Sequence, residues 1–273
     1  MMNFRHTFLA ISALAITSLA GCNDIDEADR YIEADQVESL RAVLIEDFTG
    51  QNCVNCPDAH ATMELLVEQY GDAVIPVSIH AGGFGIAATN KRYTGLMQPE
   101  GDTYNDAWGI NEWPKGVVNR RGGAKNHDQW AQAVREELAT PSALTIVANA
   151  SCVDNKIDIN LQFRPTADIN AHLQVWILED GIVARQESSQ GRIKDYIHNH
   201  VYRASVNGVG GEPIVLKDNI HSNLSLSCDV RSTDTETWVP ANLSVVAFVY
   251  DDSGVIQATH CKVSTPDGNT PAE

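Results

Sequence analysis

The chain has 273 residues, of which 43% are hydrophobic and 20% charged, and its formal net charge is −17. This length and apolar content are enough for two domains, each with its own core. So acidic a surface argues against nucleic acid or anionic lipid as direct partners.

The first 22 residues predict an export signal. Arg5 and His6 precede an apolar run over residues 8–16, which is too short and too poorly flanked to span a membrane. Leu19-Ala20-Gly21-Cys22 then resembles the lipobox of bacterial lipoproteins, in which the peptide is cut before a cysteine that becomes lipidated. We therefore expect residues 1–22 to be a lipoprotein signal peptide ending at a lipidated Cys22, and a protein attached to a membrane without spanning it. A soluble secreted protein with an accidental Cys22 is the alternative.

Residues 23–40 predict an acidic tether, since they begin with an acidic stretch that has almost no large apolar residues. Asn23, directly after the cysteine, resembles the residue found in lipoproteins sorted to the outer membrane. The expected location is the outer membrane, lipid-anchored, on its periplasmic or its surface-exposed side. Residues 266–273 are expected to form a disordered tail.

A thiol motif lies between the first predicted strand and the first predicted helix. Residues 42–48 read as a buried strand, residues 54–70 as an amphipathic helix and residues 74–79 as a second strand, which together imply a parallel βαβ unit. Cys53-Val54-Asn55-Cys56 therefore stands at a helix N-terminus, where free N–H groups and the helix dipole stabilise a thiolate. Zinc sites use the same spacing but need a second ligand pair, and the sequence has no second C-x-x-C.

Two further stretches strengthen this interpretation. Asp47-Phe48 stands at the thioredoxin spacing ahead of Cys53, and Trp113-Pro114 precedes Gly116-Val117-Val118. Both resemble thioredoxins, which implies that Asp47 is a buried proton acceptor and that Pro114 is a cis-proline beside the cysteines, shaping a substrate groove. A turn-capping Asp47, or one paired with a lysine, is the alternative. Asn52 replaces the tryptophan of thioredoxins, so the direction of exchange stays open.

The second half of the chain reads as all-β. Pro141 marks the boundary, after a short helix near residues 103–108 and a closing helix over residues 128–138. The strands expected beyond it cover residues 144–148, 156–163, 172–179, 200–206, 224–228, 243–250 and 255–261. Seven short strands at this spacing suggest an immunoglobulin-like β-sandwich over residues 141–265, following an α/β thioredoxin-like domain over residues 41–140.

Several segments together resemble one family. They are Glu46-Asp47-Phe48-Thr49-Gly50, Ser78-Ile79-His80-Ala81-Gly82, Gly116-Val117-Val118-Asn119-Arg120, Val175-Trp176-Ile177-Leu178-Glu179-Asp180 and His198-Asn199-His200-Val201-Tyr202-Arg203. The chain is similar to outer-membrane lipoproteins of Bacteroidetes-type bacteria related to a twenty-eight-kilodalton outer-membrane protein. This resemblance implies a surface protein or adhesin.

Other candidate ligands remain. The odd set Cys152, Cys228 and Cys261 allows one structural disulfide and one free thiol, with the pairing undetermined. Cys53 and Cys56 could bind metal together with His60 and His80, although a surface role for His60 is favoured. His198-Asn199-His200 also invites a metal interpretation, but a packed or surface pair is preferred.

Three functions follow. The first is a membrane-anchored thiol–disulfide oxidoreductase without a cofactor, acting on envelope proteins, in which the more exposed Cys53 is the nucleophile and Cys56 resolves the mixed disulfide. The second is a non-enzymatic surface binding protein or adhesin, in which the Cys53–Cys56 disulfide is structural. The third is a copper or other metal chaperone.

Overall fold

The computed structural model describes residues 40–266. The predicted signal peptide with Cys22, the tether up to residue 39 and the tail from residue 267 lie outside the described residues. The helices are α1 Cys56–Tyr70, α2 Pro99–Ala107 and α3 Trp130–Leu138. The strands are β1 Val43–Thr49, β2 Val74–His80, β3 Lys115–Val118, β4 Arg121–Lys125, β5 Leu144–Val153, β6 Lys156–Pro165, β7 Ile169–Glu179, β8 Ile182–Ser188, β9 Gly191–His198, β10 Val201–Ser205, β11 Glu212–Leu216, β12 Ser222–Asp229, β13 Leu243–Asp251 and β14 Gly254–Ser264.

Twelve of the strands described in residues 40–266 join in one mixed sheet. Their order is β12-β6-β5-β14-β13-β7-β10-β2-β1-β3-β4, with β11 paired to β7, while β8 and β9 form a separate hairpin. The predicted βαβ unit is present, since β1 pairs with β2 in parallel from Val43↔Val74 to Thr49↔His80. Within the described residues, no helix is both long enough and apolar enough to cross a membrane.

The predicted fold class, a thioredoxin-like α/β domain followed by an immunoglobulin-like sandwich, is wrong. One sheet runs across the boundary expected at Pro141, because β10 pairs in parallel with β2 at Val201↔Ser78 and antiparallel with β7. Without β10, β2 would present an unpaired edge, which proteins generally cover. The two halves therefore share backbone hydrogen bonds and do not form two separate folds.

The halves also share apolar contacts, because β1 is buried on both faces. Val43 and Ile45 pack with residues of α1 and α3. Leu44 and Phe48, on the opposite face, pack with Trp176 of β7 and Phe248 of β13. A strand covered on both sides usually reads as a continuous apolar run, whereas β1 continues from Val43-Leu44-Ile45 into the buried Glu46 and Asp47.

A second and larger core lies in the C-terminal half. It contains inward-facing residues of β5 and β6 together with those of β7 and β13. The predicted alternation in β6 is confirmed, since Ile157, Ile159, Leu161 and Phe163 are all buried while the residues between them are exposed.

Cys152, Cys228 and Cys261 form no disulfide in the structure. Cys152 and Cys228 both stand opposite Ile157, one on β5 and the other on β12. The intervening strand β6 keeps their backbones about two strand spacings apart, roughly 9–10 Å, which exceeds the reach of a disulfide.

Gly116 is required by packing. A Cβ atom there would lie 2.4 Å from Cζ2 of Trp130, whose side chain is fully buried. We expect Gly116→Ala to lower the free energy of unfolding by about 1–3 kcal/mol in urea denaturation, because the indole must move within a packed core. Gly83→Ala is the matched control, since a Cβ there meets nothing within 4 Å. Equal stability of the two variants would contradict this prediction.

Candidate functional site

Cys53 and Cys56 form a disulfide at the start of α1, with their Cα atoms 5.5 Å apart. The turn before them is held by the Cys53 N–H, which donates to the Gly50 carbonyl at 3.0 Å, and by the Asn52 N–H, which donates to the Phe84 carbonyl at 2.9 Å. A Cβ on Gly50 would lie 2.5 Å from the Phe84 carbonyl carbon, so this approach requires glycine.

Cys53 is expected to be the more exposed of the two cysteines, but the structure buries both. Its side chain is 3% exposed and that of Cys56 is fully buried. The β8–β9 hairpin covers the turn, and the fully buried Gln186 of β8 donates from Nε2 to the Cys53 carbonyl at 2.9 Å and to the Gly50 carbonyl at 3.2 Å. Gln186 lies 133 residues after Cys53 in the sequence.

More hydrogen bonds attach the hairpin to the same turn. The Glu187 N–H donates to the Gln51 carbonyl at 2.9 Å. Gln51 Nε2 donates to the Arg185 carbonyl at 3.3 Å, and the Arg185 guanidinium donates to Asn52 Oδ1. These hydrogen bonds hold the hairpin against the turn that carries the disulfide.

Asp47 lies on β1, and its side chain is fully buried. Neither carboxylate oxygen accepts a hydrogen bond from the described residues, and His60 Nε2 approaches Oδ2 at 3.6 Å. Burial raises the pKa of Asp47 well above its usual value. In its ionised form, a carboxylate of raised pKa accepts a proton more strongly than an ordinary one.

His60 lies one helical turn after Cys56 and is also buried. Its Nε2 is 2.9 Å from Thr49 Oγ1, and its Nδ1 is 2.9 Å from the hydroxyl of Tyr196 on β9. Burial, and then the nearby His198 and His200, lower the pKa of His60 to about 3. The ring is therefore neutral at pH 7.

Two other histidines come close to His60. The ring centroids of His80 and His198 are 5.3 Å apart, and those of His198 and His60 are 6.4 Å apart. The three rings border a cavity of about 20 Å³, together with Met63, Glu64, Ser78, Tyr196, Ile197, Asn199 and His200. We refer to His60, His80 and His198 as the histidine cluster.

The cluster has free ring nitrogens. Neither nitrogen of His80 has a hydrogen-bond partner in the described residues, nor does Nε2 of His198. Burial lowers the pKa of His80 well below its usual value and that of His198 to about 4, the latter partly offset by backbone hydrogen bonds at Arg185 and Ala184.

Pro114 lies directly before β3, in a segment that approaches the C-x-x-C turn through Trp113 and Phe84. The Trp113–Pro114 peptide is cis. The Trp113 ring stands 5.4 Å from that of Phe84, whose carbonyl contacts the C-x-x-C turn. The expected role of Pro114 in a substrate groove stays a prediction.

The metal set of Cys53, Cys56, His60 and His80, the less favoured interpretation of the sequence, is not tested by the structure. The two cysteines are bonded to each other, whereas His60 and His80 do border one cavity. Within residues 40–266, no group of three or more His, Cys, Asp or Glu side chains is already arranged around a metal position. The ring of His198 lies close to that of His80. His200, two residues after His198, has its Nδ1 3.4 Å from Asp180 Oδ1.

Gln186 and Tyr196 of the hairpin are not among the site residues that the sequence predicts. Neither β8 nor β9 was expected. The signal that could have found them is the Ser188-Ser189-Gln190-Gly191 turn between two segments of strand-forming residues.

Comparison with known proteins gives a family. The family described as outer membrane protein Omp28 matches residues 101–266, more than half of the chain. That match begins after the two cysteines. No curated protein sequence matches the chain.

Two solved structures share the fold over most of this chain. HBP35 of Porphyromonas gingivalis is 15% identical, covers 86% of this chain and 79% of its own, and superposes with a TM-score of 0.66. Protein AGR_C_4864 from Agrobacterium tumefaciens is 14% identical over 87% of this chain and 99% of its own, with a TM-score of 0.52. A domain of the outer membrane lipoprotein Omp28 from P. gingivalis is 23% identical over 45% of this chain and 90% of its own, with a TM-score of 0.33.

Proposed function

Because the chain belongs to the Omp28 family of outer membrane proteins, we propose that it is a lipoprotein anchored through Cys22 that exchanges disulfides with envelope proteins. The observation that carries this proposal is the Cys53–Cys56 disulfide at the N-terminus of α1, with the buried carboxyl of Asp47 on the adjoining strand. A helix N-terminus stabilises a thiolate, and a nearby carboxyl of raised pKa can take the proton of the second thiol.

In the reduced protein, the Cys53 thiolate attacks one sulfur of a substrate disulfide and releases the other substrate sulfur as a thiolate. Asp47 in its ionised form takes the proton of Cys56, and the Cys56 thiolate then attacks Cys53 Sγ. This second step releases the remaining substrate thiolate and forms the Cys53–Cys56 disulfide. Two electrons pass to the substrate, and the reverse sequence oxidises a substrate dithiol.

The β8–β9 hairpin controls access in this scheme. We expect Gln186→Ala to speed reduction of the disulfide by dithiothreitol about tenfold, since loss of hydrogen bonds each worth about 1 kcal/mol weakens the cover. Alkylation followed by mass spectrometry measures the rate. Gln190→Ala, in the exposed turn of the same hairpin, is the matched control and should leave the rate unchanged. Equal rates in both variants would show that the hairpin does not limit access.

Exchange itself is tested with the reduced protein and a peptide containing one disulfide. The wild type should reduce the peptide and become oxidised, and it should reach an equilibrium with a glutathione buffer. Cys53→Ser should abolish the transfer, whereas Cys152→Ser should not. A reduced, folded wild type that transfers no electrons would exclude the oxidoreductase.

The second candidate is a non-enzymatic surface binding protein or adhesin. The observation that favours it is the burial of both sulfurs, as expected of a disulfide that only stabilises the fold. On this alternative, the Cys53→Ser/Cys56→Ser variant loses stability but keeps its binding to the envelope or surface partner.

A further inference from the structure

The histidine cluster contains three buried ring nitrogens that have no hydrogen-bond partner among the described residues. His80 is fully enclosed and both of its ring nitrogens lack partners, as does Nε2 of His198. A buried polar atom without a hydrogen bond costs about 1–3 kcal/mol, so such atoms in a native protein usually contact a water or an ion. The two rings border the same cavity of about 20 Å³, which is large enough for one water or one ion.

The chemistry of these atoms favours a metal ion. Neutral imidazole is a preferred ligand of zinc, copper and nickel. The ring of His198 forms hydrogen bonds with the backbone at Arg185 and Ala184 while its Nε2 stays free, and this is how proteins orient metal-binding histidines. The centroid separation of 5.3 Å between His80 and His198 suits two imidazoles on one tetrahedral ion.

We propose that His80 and His198 bind one divalent first-row transition-metal ion in this cavity, with His60 as the third ligand. His60 now has both ring nitrogens in hydrogen bonds, so it joins only after giving up its contact with Tyr196. Because His60 is still bonded to Tyr196, the described residues do not yet place three ligand atoms around one metal position. Glu64 lines the cavity and is exposed to solvent, so a carboxylate lies where the cation would enter.

The site does not depend on the proposed thiol exchange. It uses no sulfur atom, and it spans both halves of the chain: His60 and His80 come from α1 and β2, and His198 comes from the end of β9. Metal binding would therefore join the hairpin to the βαβ unit.

The test titrates the full mature protein, without a histidine tag and with the Cys53–Cys56 disulfide intact, with Zn²⁺ by calorimetry. We expect one equivalent to bind, and His80→Gln and His198→Gln to weaken binding by at least about tenfold, the loss that even outer-shell changes often cause. His221→Gln, on an exposed residue before β12, is the matched control and should bind as the wild type does.

A second measurement needs no variant. With Co²⁺, the wild type should show the intense visible bands of a tetrahedral ion and shifted imidazole NMR signals assigned to His80 and His198. Absence of binding, or binding that both folded histidine variants retain, would overturn the proposal whatever the outcome of the thiol assay. Shifted signals from other histidines would overturn it as well.

Discussion

Replacing Arg120 with methionine should lower the free energy of unfolding by about 3–5 kcal/mol. The side chain of Glu46 is fully buried on β1, and Arg120 donates to its two oxygens from Nε at 2.8 Å and from Nη2 at 3.3 Å. The guanidinium also lies 4.7 Å from the ring centre of Phe248 and 4.3 Å from that of Tyr250, both on β13. Loss of the Arg120 guanidinium leaves the buried Glu46 carboxylate without a counter-charge. It also removes a contact between the N-terminal and C-terminal halves of the described chain.

Urea denaturation of single and double variants measures this effect. Arg164→Met is the matched control, because Arg164 is exposed on β6, and it should change stability by less than about 0.5 kcal/mol. The double variant Glu46→Met/Arg120→Met should recover most of the loss, since replacing both partners removes the unpaired charge. If the double variant were no more stable than Arg120→Met, the buried charge would not be the cause.

Local sequence patterns predicted many of the individual elements, though not the β8–β9 hairpin, and they did not predict how the elements assemble. Apolar periodicity is a property of one segment, so α1, β1 and the alternation of β6 were all readable from it. The pairing of β10 with β2 rests on a single register pair, Val201↔Ser78, between residues far apart in sequence. The apolar run Val43-Leu44-Ile45 indicates a buried strand, but not that Trp176 and Phe248 cover one of its faces.

The same limit applies to the candidate site. Cys53, Cys56 and Asp47 belong to one short stretch, so spacing alone placed them together. The exposure of Cys53 depends on Gln186, and the cavity beside His60 depends on Tyr196 and His198, which approach from a hairpin more than 130 residues later. No local pattern connects those residues, because their meeting depends on the shared sheet.

The histidine cluster should make stability strongly dependent on pH. In the unfolded chain these rings take up protons near pH 6.5. In the folded chain the pKa of His60 is lowered to about 3, that of His198 to about 4, and that of His80 well below its usual value, in each case first by burial. Between about pH 6.5 and pH 4, the unfolded state therefore binds up to three protons that the folded state does not.

Other groups that face the histidine cluster change the number of protons by which the folded and unfolded states differ. Asp47 has a raised pKa, so the folded state keeps one proton that the unfolded state releases above about pH 4. Arg203 lowers the pKa of His80 further, and His200 lowers that of His60. The net difference is about two protons, and each proton changes the free energy of unfolding by about 1.4 kcal/mol per pH unit. The stability that the neutral rings provide is thus complete above about pH 7 and falls as the pH falls.

We expect the free energy of unfolding, measured in urea at pH 7.5, 6 and 5 with metal removed, to fall by about 2–3 kcal/mol per pH unit below pH 6.5. His198→Gln should reduce this slope by about one proton, or 1.4 kcal/mol per pH unit, whatever it does to stability at pH 7.5. His221→Gln should keep the wild-type slope, because its ring is exposed in both states. A slope unchanged by His198→Gln would mean that the folded and unfolded states protonate this ring alike, so its burial would not be a cause of the pH dependence.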